Sequence, residues 1–247
     1  MALLKVLLLL LGLGVSVNSA VSLQKRIIGG NYCDKTGRLF HVRLEGMSRS
    51  HRILCGGSLI HPNWILTSAS CWTSKTGWIN VAKLKVHPGT SKPRIPRIKA
   101  NPVVYASEGS QHDIMLLKLP IEVSDVPLAQ LPDCSNRPKI GDTVQLAGEG
   151  ETNNRQISNA VAATQLQCVD MPVVEATHFL PTYGHVFSAK AQNKDVCYGD
   201  YGSAVMFKGK IYGVISPGGT DSECHSPVSI MDVCEYIGWI KTTIGSK

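Results

Sequence analysis

An all-β fold follows from three observations on the sequence. Short apolar runs recur, among them Leu59 to Leu66, Ile114 to Leu119, Thr143 to Ala147 and Ile211 to Ser216. Clusters of Gly, Pro, Asn and Ser separate them at intervals typical of strands, and only one stretch carries a sustained helical period. With 247 residues, 43% hydrophobic and 17% charged, the composition is globular and excludes disordered, collagenous and coiled-coil chains. Setting the N-terminal segment aside leaves roughly 220 residues, enough for one large sandwich or barrel unit or two small domains.

Taken in order, Met1 to about Ala20 reads as a secretory signal peptide. One cation, Lys5, precedes the apolar run Val6 to Val17, and the small residues Asn18, Ser19 and Ala20 close it. The run falls short of the ~20 apolar residues of a spanning helix, and no comparable stretch follows. A short propeptide, residues 21–26, ends in Lys25-Arg26. The strand-like runs then fill residues 27–247, and the Pro-rich stretch Pro88 to Pro102 is expected to be one long surface loop. At the C-terminus Val233, Ile237, Ile240 and Ile244 recur at helical spacing, with Lys241 and Thr242 on the polar side, which predicts a helix docked on the β structure. There is no Asn-x-Ser/Thr sequon, so N-glycosylation is not expected.

Eight cysteines in an exported chain are expected to pair, which places the protein outside the cell. Processing after Arg26 would remove three bases, Lys5, Lys25 and Arg26, and no acid, lowering the formal charge from +7 to +4. That charge is uneven. Gly46 to Ser107 has no Asp or Glu but nine bases: Arg49, Arg52, Lys75, Lys83, Lys85, Lys92, Arg94, Arg97 and Lys99.

Four motifs then align in order. Ile27-Ile28-Gly29-Gly30 follows the dibasic pair, Cys55-Gly56-Gly57-Ser58-Leu59-Ile60 comes next, then Asp113-Ile114-Met115-Leu116-Leu117-Lys118-Leu119, and last Cys197-Tyr198-Gly199-Asp200-Tyr201-Gly202-Ser203-Ala204. Over the whole stretch from residue 27 to the end, the chain resembles the chymotrypsin/trypsin family of serine proteases. The resemblance implies two six-stranded antiparallel β-barrels with a cleft between them, and a C-terminal α-helix. It also implies the disulfides Cys33–Cys168, Cys55–Cys71, Cys134–Cys234 and Cys197–Cys224, leaving no cysteine over. A further bridge of trypsin-like members, between the positions of Thr177 and Ser188, is missing at both ends.

Acyl transfer in that family needs a hydroxyl nucleophile, an imidazole to take its proton and a carboxylate to orient the imidazole. The resemblance puts these roles on Tyr201, Ser70 and Asp113. The family's Ala-Ala-His-Cys reads Ser68-Ala69-Ser70-Cys71 here, and its Gly-Asp-Ser-Gly-Gly reads Gly199-Asp200-Tyr201-Gly202-Ser203. Only the carboxylate is kept. A phenol has a pKa near 10, and losing base or nucleophile in such an enzyme costs on the order of 10⁶ in turnover. His112 sits next to Asp113 but should point to the opposite strand face, and the hydroxyl of Ser203 lacks a base too. The expectation is a protease homologue without peptidase activity, a condition other members of the family share, haptoglobin among them; the alternative is an active endopeptidase cleaving after Lys or Arg.

The remaining machinery is mixed. Backbone amides of Gly199 and Tyr201 fall at the oxyanion-hole positions. Asp195 falls at the base of the primary specificity pocket, where it is either a cation site or a structural carboxylate. Ser216-Pro217-Gly218 replaces Ser-Trp-Gly, and Val228 stands where trypsin-like enzymes have a pocket-lining Gly, so the slot should be partly filled. Asp200 is implied as partner of the α-amino group freed at Ile27 by a processing protease cutting after Arg26, unless the protein circulates uncleaved. Asp113, flanked by apolar residues, needs donors, with Ser70 and Ser216 as candidates; a proton-linked switch there is the other reading.

No cofactor or metal is expected. The loop that supplies calcium ligands in some members corresponds to Lys83 through Ile98, which has no carboxylate, and paired cysteines leave no zinc-spaced cluster. A cluster of Lys83, Lys85, Lys92, Arg94, Arg97 and Lys99 would suit a sulfated glycan or an acidic protein partner, or is simply a solvated loop. A secreted, disulfide-bonded chain fits nucleic acid poorly.

Overall fold

The computed structural model describes residues 27–47, 52–72, 79–89, 92–149, 165–218 and 224–245. In the first half these form β1 (Asn31–Tyr32), β2 (His41–Met47), β3 (Arg52–His61), β4 (Trp64–Thr67), a 3₁₀ turn (Ala69–Cys71), β5 (Ile79–Lys83), β6 (Val103–Ser107) and β7 (Ser110–Lys118). The second half contains β8 (Thr143–Gly148), β9 (Gln167–Leu180), β10 (Gly184–Ala189), β11 (Val196–Cys197), β12 (Ala204–Phe207), β13 (Lys210–Ser216), β14 (Cys224–His225) and β15 (Val228–Asp232), followed by α1 (Val233–Ile244).

The second half closes on itself. Its strands run β9-β10-β15-β13-β12-β8, and β8 pairs back onto β9 from Thr143↔Pro172 to Gly148↔Gln167, completing a six-stranded antiparallel barrel to which β1 adds an outer rung. Alternation makes β9 one stave of it, with Val169, Met171 and Val173 buried and Asp170, Pro172 and Val174 exposed. The first half is a second six-stranded sheet in the order β5-β2-β3-β4-β7-β6.

The expected loop from Pro88 to Pro102 is more structured than its prolines suggest. Residues 94–98 lie along β5, with Leu84 and Arg94 exchanging two hydrogen bonds, Ala82 N donating to Pro96 O at 3.1 Å and Ile98 N to Asn80 O at 2.9 Å. Pro96 has no N–H to offer, but only its carbonyl is needed at that rung. The open edge of β5 is therefore covered, and the stretch passes directly into β6.

The run Leu59 to Leu66 is a hairpin, not one strand: β3 ends at His61, β4 starts at Trp64, and Pro62-Asn63 makes the turn. The run in β7 is apolar throughout because both faces are buried. Met115 and Leu117 face the first core with Leu44 and Ile65, whereas Ile114 and Leu116 face a seam shared with Ala204, Val214 and Met231 of the barrel and with Tyr236 and Ile240 of α1. That seam joins the halves and fixes the next residue upstream, Asp113.

The helix begins and ends one residue from the apolar stripe. Asp232 caps it by accepting from Cys234 N at 2.9 Å, and Gly245 closes it at φ 74°. Its buried face is Val233, Tyr236, Ile240 and Ile244; Tyr236 takes the place expected of Ile237, which is half-buried.

All four implied disulfides form, Cys33–Cys168, Cys55–Cys71, Cys134–Cys234 and Cys197–Cys224. Where the further bridge would lie, Thr177 Oγ1 donates to Asp232 Oδ2 at 2.7 Å and Ser188 Oγ to Glu175 Oε2 at 2.9 Å, so both positions are satisfied by carboxylates. No helix among the described residues is long and apolar enough to cross a membrane.

Candidate functional site

Asp113, on β7, is 4% exposed and receives three donors. Ser68 Oγ donates to Oδ1 at 2.7 Å, Ser70 N to the same oxygen at 2.6 Å, and Ser216 Oγ to Oδ2 at 2.5 Å. Ser70 and Ser216 are the partners expected from sequence. Ser68 is the one missed; the signal for it was its place two residues before Ser70, where it caps the 3₁₀ turn and accepts from Ser70 N. Burial pushes the Asp113 carboxyl up, and the hydrogen bonds from Ser216, Ser68 and Ser70 only partly oppose it.

His112 turns to the other face, as strand alternation requires. It is 5% exposed, stands 3.0 Å through Nδ1 from the Tyr236 hydroxyl, and makes no bond to Asp113. Ser203 is fully buried against Gly56, so closely that a Cβ on Gly56 would lie 1.8 Å from its Oγ. Its hydroxyl faces the contact between the two halves, not solvent.

Tyr201 lies on the turn between Gly199, at φ 97°, and Gly202, at φ 82°. A Cβ on Gly202 would come within 2.1 Å of Thr67 Oγ1 and 2.4 Å of Gly56 O, so this glycine lets the turn approach the first half. Gly56 N donates to Tyr201 O at 2.8 Å, and the Tyr201 ring is half-buried against the cores of both halves. Burial pushes its phenol up to about 12, reinforced by the nearby Asp200, Tyr183, Tyr198 and Asp113.

Asp195 is half-buried, and its backbone pairs with Ile28, whose N donates to Asp195 O at 3.1 Å. Val228 is fully buried in the barrel core beside Val196 and Ile215. Ser216 is buried with its hydroxyl committed to Asp113, and Gly218, at φ 59°, passes so near Ser229 that a Cβ would sit 2.0 Å from Oγ. Ile27 is fully buried in the barrel core. Asp200 is fully buried as well, accepts from Cys197 N at 2.9 Å, and adjoins Gly148, where a Cβ would come 1.9 Å from Oδ1. The same β8–β9 pairing brings Cys168 to Ala147, and Gly30 packs between Cys168 O and the Ile27 side chain, which gathers Ile27, Asp200 and the first disulfide into one region. Arg26 and the segments expected to be a signal peptide and propeptide lie outside the described residues.

The basic stretch is less free than its sequence implies. Lys85 and Arg94 both pair with Asp125, at 2.5 and 2.6 Å, and Lys83 pairs with Glu45 at 2.9 Å. Lys92, Arg97 and Lys99 are exposed. Among the described residues no group of three or more His, Cys, Asp or Glu could hold a metal ion.

With a closed barrel, a second sheet, one terminal helix and four disulfides in place, the family match is decisive: a family model described as Trypsin covers residues 27–240. The chain belongs to the trypsin family of serine proteases. Its relatives include Kallikrein 1-related peptidase b27 of Mus musculus, 29% identical with 98% of both chains covered, and Trypsin of Pleuronectes platessa, 26% identical over 95% of this chain and 98% of the relative. Trypsin I-P1 of Gallus gallus is 30% identical over 98% of this chain and all of its own. Trypsin-family membership thus extends over both halves, and the four disulfides suit an oxidising, extracellular setting.

Proposed function

We propose that this trypsin-family chain is secreted and cuts no peptide bonds, acting through its surface as a binding or regulatory protein. The observation that carries the reading is the donor set of Asp113: two serine hydroxyls and a backbone amide occupy it, and none is an imidazole. Without a base, the Tyr201 phenol stays protonated at neutral pH, all the more with its pKa near 12. Asp113, Ser70 and Tyr201 are then the remains of a catalytic triad, and the amides of Gly199 and Tyr201 an oxyanion hole with no oxyanion to serve. Val228 in the barrel core and Pro217 at the rim support a pocket too small for a Lys or Arg side chain above Asp195.

Removal of the leader and cleavage after Arg26 would start the mature chain at Ile27, whose α-ammonium would join the buried Asp200. A buried charge on either side alone costs several kcal/mol, so this pair is the stabilising reason to keep processing where there is no catalysis to switch on. N-terminal sequencing of the secreted protein tests it: Ile27 is expected, and a start at Ala20 or Val21 excludes it.

The partner is read as an acidic protein surface or a sulfated glycan, bound by Lys92, Arg97 and Lys99 with help from the ion-paired Lys83, Lys85 and Arg94. Retention on heparin that weakens with salt is the expected behaviour.

A second reading, an active endopeptidase cleaving after Lys or Arg, is favoured by Asp195 and by relatives named as peptidases and trypsins. A fluorogenic Arg substrate assayed with protein cleaved after Arg26 separates the two. The inactive reading expects no rate above a Tyr201→Ala control; turnover well above that control establishes the enzyme.

A further inference from the structure

On the far side of β7 from Asp113, two histidines meet inside an aromatic cage that spans both halves of the molecule. His112 comes from the first sheet and His185 from β10 of the barrel, with ring centroids 6.2 Å apart. Tyr105 of β6 packs on His112 at 5.0 Å, Phe179 of β9 at 5.7 Å and Tyr236 of α1 at 5.7 Å. The Tyr236 hydroxyl accepts from His185 N at 2.8 Å and stands 3.0 Å from His112 Nδ1, to which it donates when that nitrogen carries no proton. Gly184, at φ 104°, makes this approach: a Cβ there would lie 2.4 Å from the Tyr236 oxygen and 2.6 Å from His112 Nδ1. One residue away, Asp113 N donates to Tyr183 O at 2.7 Å, the backbone bond that ties β7 to the β9–β10 hairpin.

We propose that this aromatic cage is an acid-released seam: protonation of His112 loosens the junction between the β9–β10 hairpin and β7. The groups facing the pair are neutral on every side. Tyr105, Phe179 and Tyr236 are uncharged, and among the described residues neither ring forms an ion pair with a carboxylate. The nearest acids of α1 and its cap, Glu235 and Asp232, are engaged by Arg137, and on β9 Glu175 sits 3.7 Å from a different ring, His178. A proton on His112 Nδ1 therefore meets no counter-charge. It turns that nitrogen into a donor, leaves the Tyr236 O–H without its acceptor, and sets a cation in a site 5% exposed.

Burial, then the proximity of His185, holds the His112 pKa below the ordinary histidine value. The opened state consequently binds protons more readily than the closed one. The stabilisation is complete above the ordinary pKa of about 6.5 and is lost as pH falls from there toward the depressed value. In that window, each proton taken up on opening raises the opening constant about tenfold per pH unit.

The test is amide hydrogen exchange on the full mature chain from pH 7.5 to 4.5, corrected for intrinsic rates. The amides of Asp113 and His185 are expected to lose protection about tenfold per pH unit below ~6.5, while those of β8 in the closed barrel do not. In His112→Asn with His185→Gln the two amides are expected to keep their protection in acid. Equal acid sensitivity in that double variant, or loss of protection spread uniformly over the barrel, overturns the proposal. Should the double variant fail to fold, imidazole NMR of the unaltered protein decides: a His112 ring titrating at or above 6.5 rejects the seam, and one titrating below it, in step with the Asp113 amide, supports it. None of these outcomes depends on whether the chain cleaves peptides.

Discussion

At Asp113 the carboxylate is held by two hydroxyls and a backbone amide, and this makes a substitution there informative. Because burial raises its pKa, the folded state binds the proton more tightly than the unfolded chain. Ionisation therefore costs stability above the folded pKa, and that cost fades as pH falls through it. Asn at this position can accept from Ser68 and Ser70 and donate to the Ser216 oxygen. Asp113→Asn is expected to keep or raise the melting temperature at pH 7, with the gap to the parent closing toward acid; a loss of more than about 1 kcal/mol by denaturant titration would show that the charge is needed. At Gly56 the constraint is steric. A Cβ there meets Ser203 Oγ at 1.8 Å and its Cα at 3.0 Å, so Gly56→Ala is expected to destabilise by about 1 to 3 kcal/mol. Ser203→Gly should return part of that, and a double-mutant cycle measures the coupling.

Elements show both what could be foreseen and what could not. The terminal helix, the strand class and every cysteine pair were legible, because periodicity and family spacing are written locally along the chain. The ordering of residues 94–98 was hidden by Pro93 and Pro96, which advertise a loop; its backbone bonds depend on β5 coming alongside, a fact no local pattern carries. The role of Ser68 had only a faint local signal, its place two residues before Ser70, and the 3₁₀ turn is what sets it over Asp113. Charge was legible in amount but not in placement, since Asp125 and Glu45, both outside the acid-free stretch or before it, neutralise Lys85, Arg94 and Lys83. The Asp125 pairs are the more exposed, and such pairs contribute about 0 to 1 kcal/mol. Asp125→Asn should accordingly leave the melting temperature nearly unchanged while shifting heparin elution to higher salt, by freeing Lys85 and Arg94; unchanged elution would show that these cations take no part in polyanion binding.

For the whole molecule, the disulfides differ in reach more than in number. Cys33–Cys168 spans 135 residues and ties the segment after β1 to the barrel strand β9, whereas Cys55–Cys71 spans 16 and links β3 to the 3₁₀ turn. If restraint of the unfolded chain dominates, opening the long bridge costs about 2 kcal/mol more than opening the short one, which paired Cys→Ala variants compared by guanidinium titration would reveal; equal losses would assign the effect to local packing. The seam between the halves also has a use for the experimenter. Tyr201 touches both cores, so its ring is an intrinsic chromophore at the contact between the halves, and difference ultraviolet spectroscopy would register any occupant or rearrangement there without a label or a substrate.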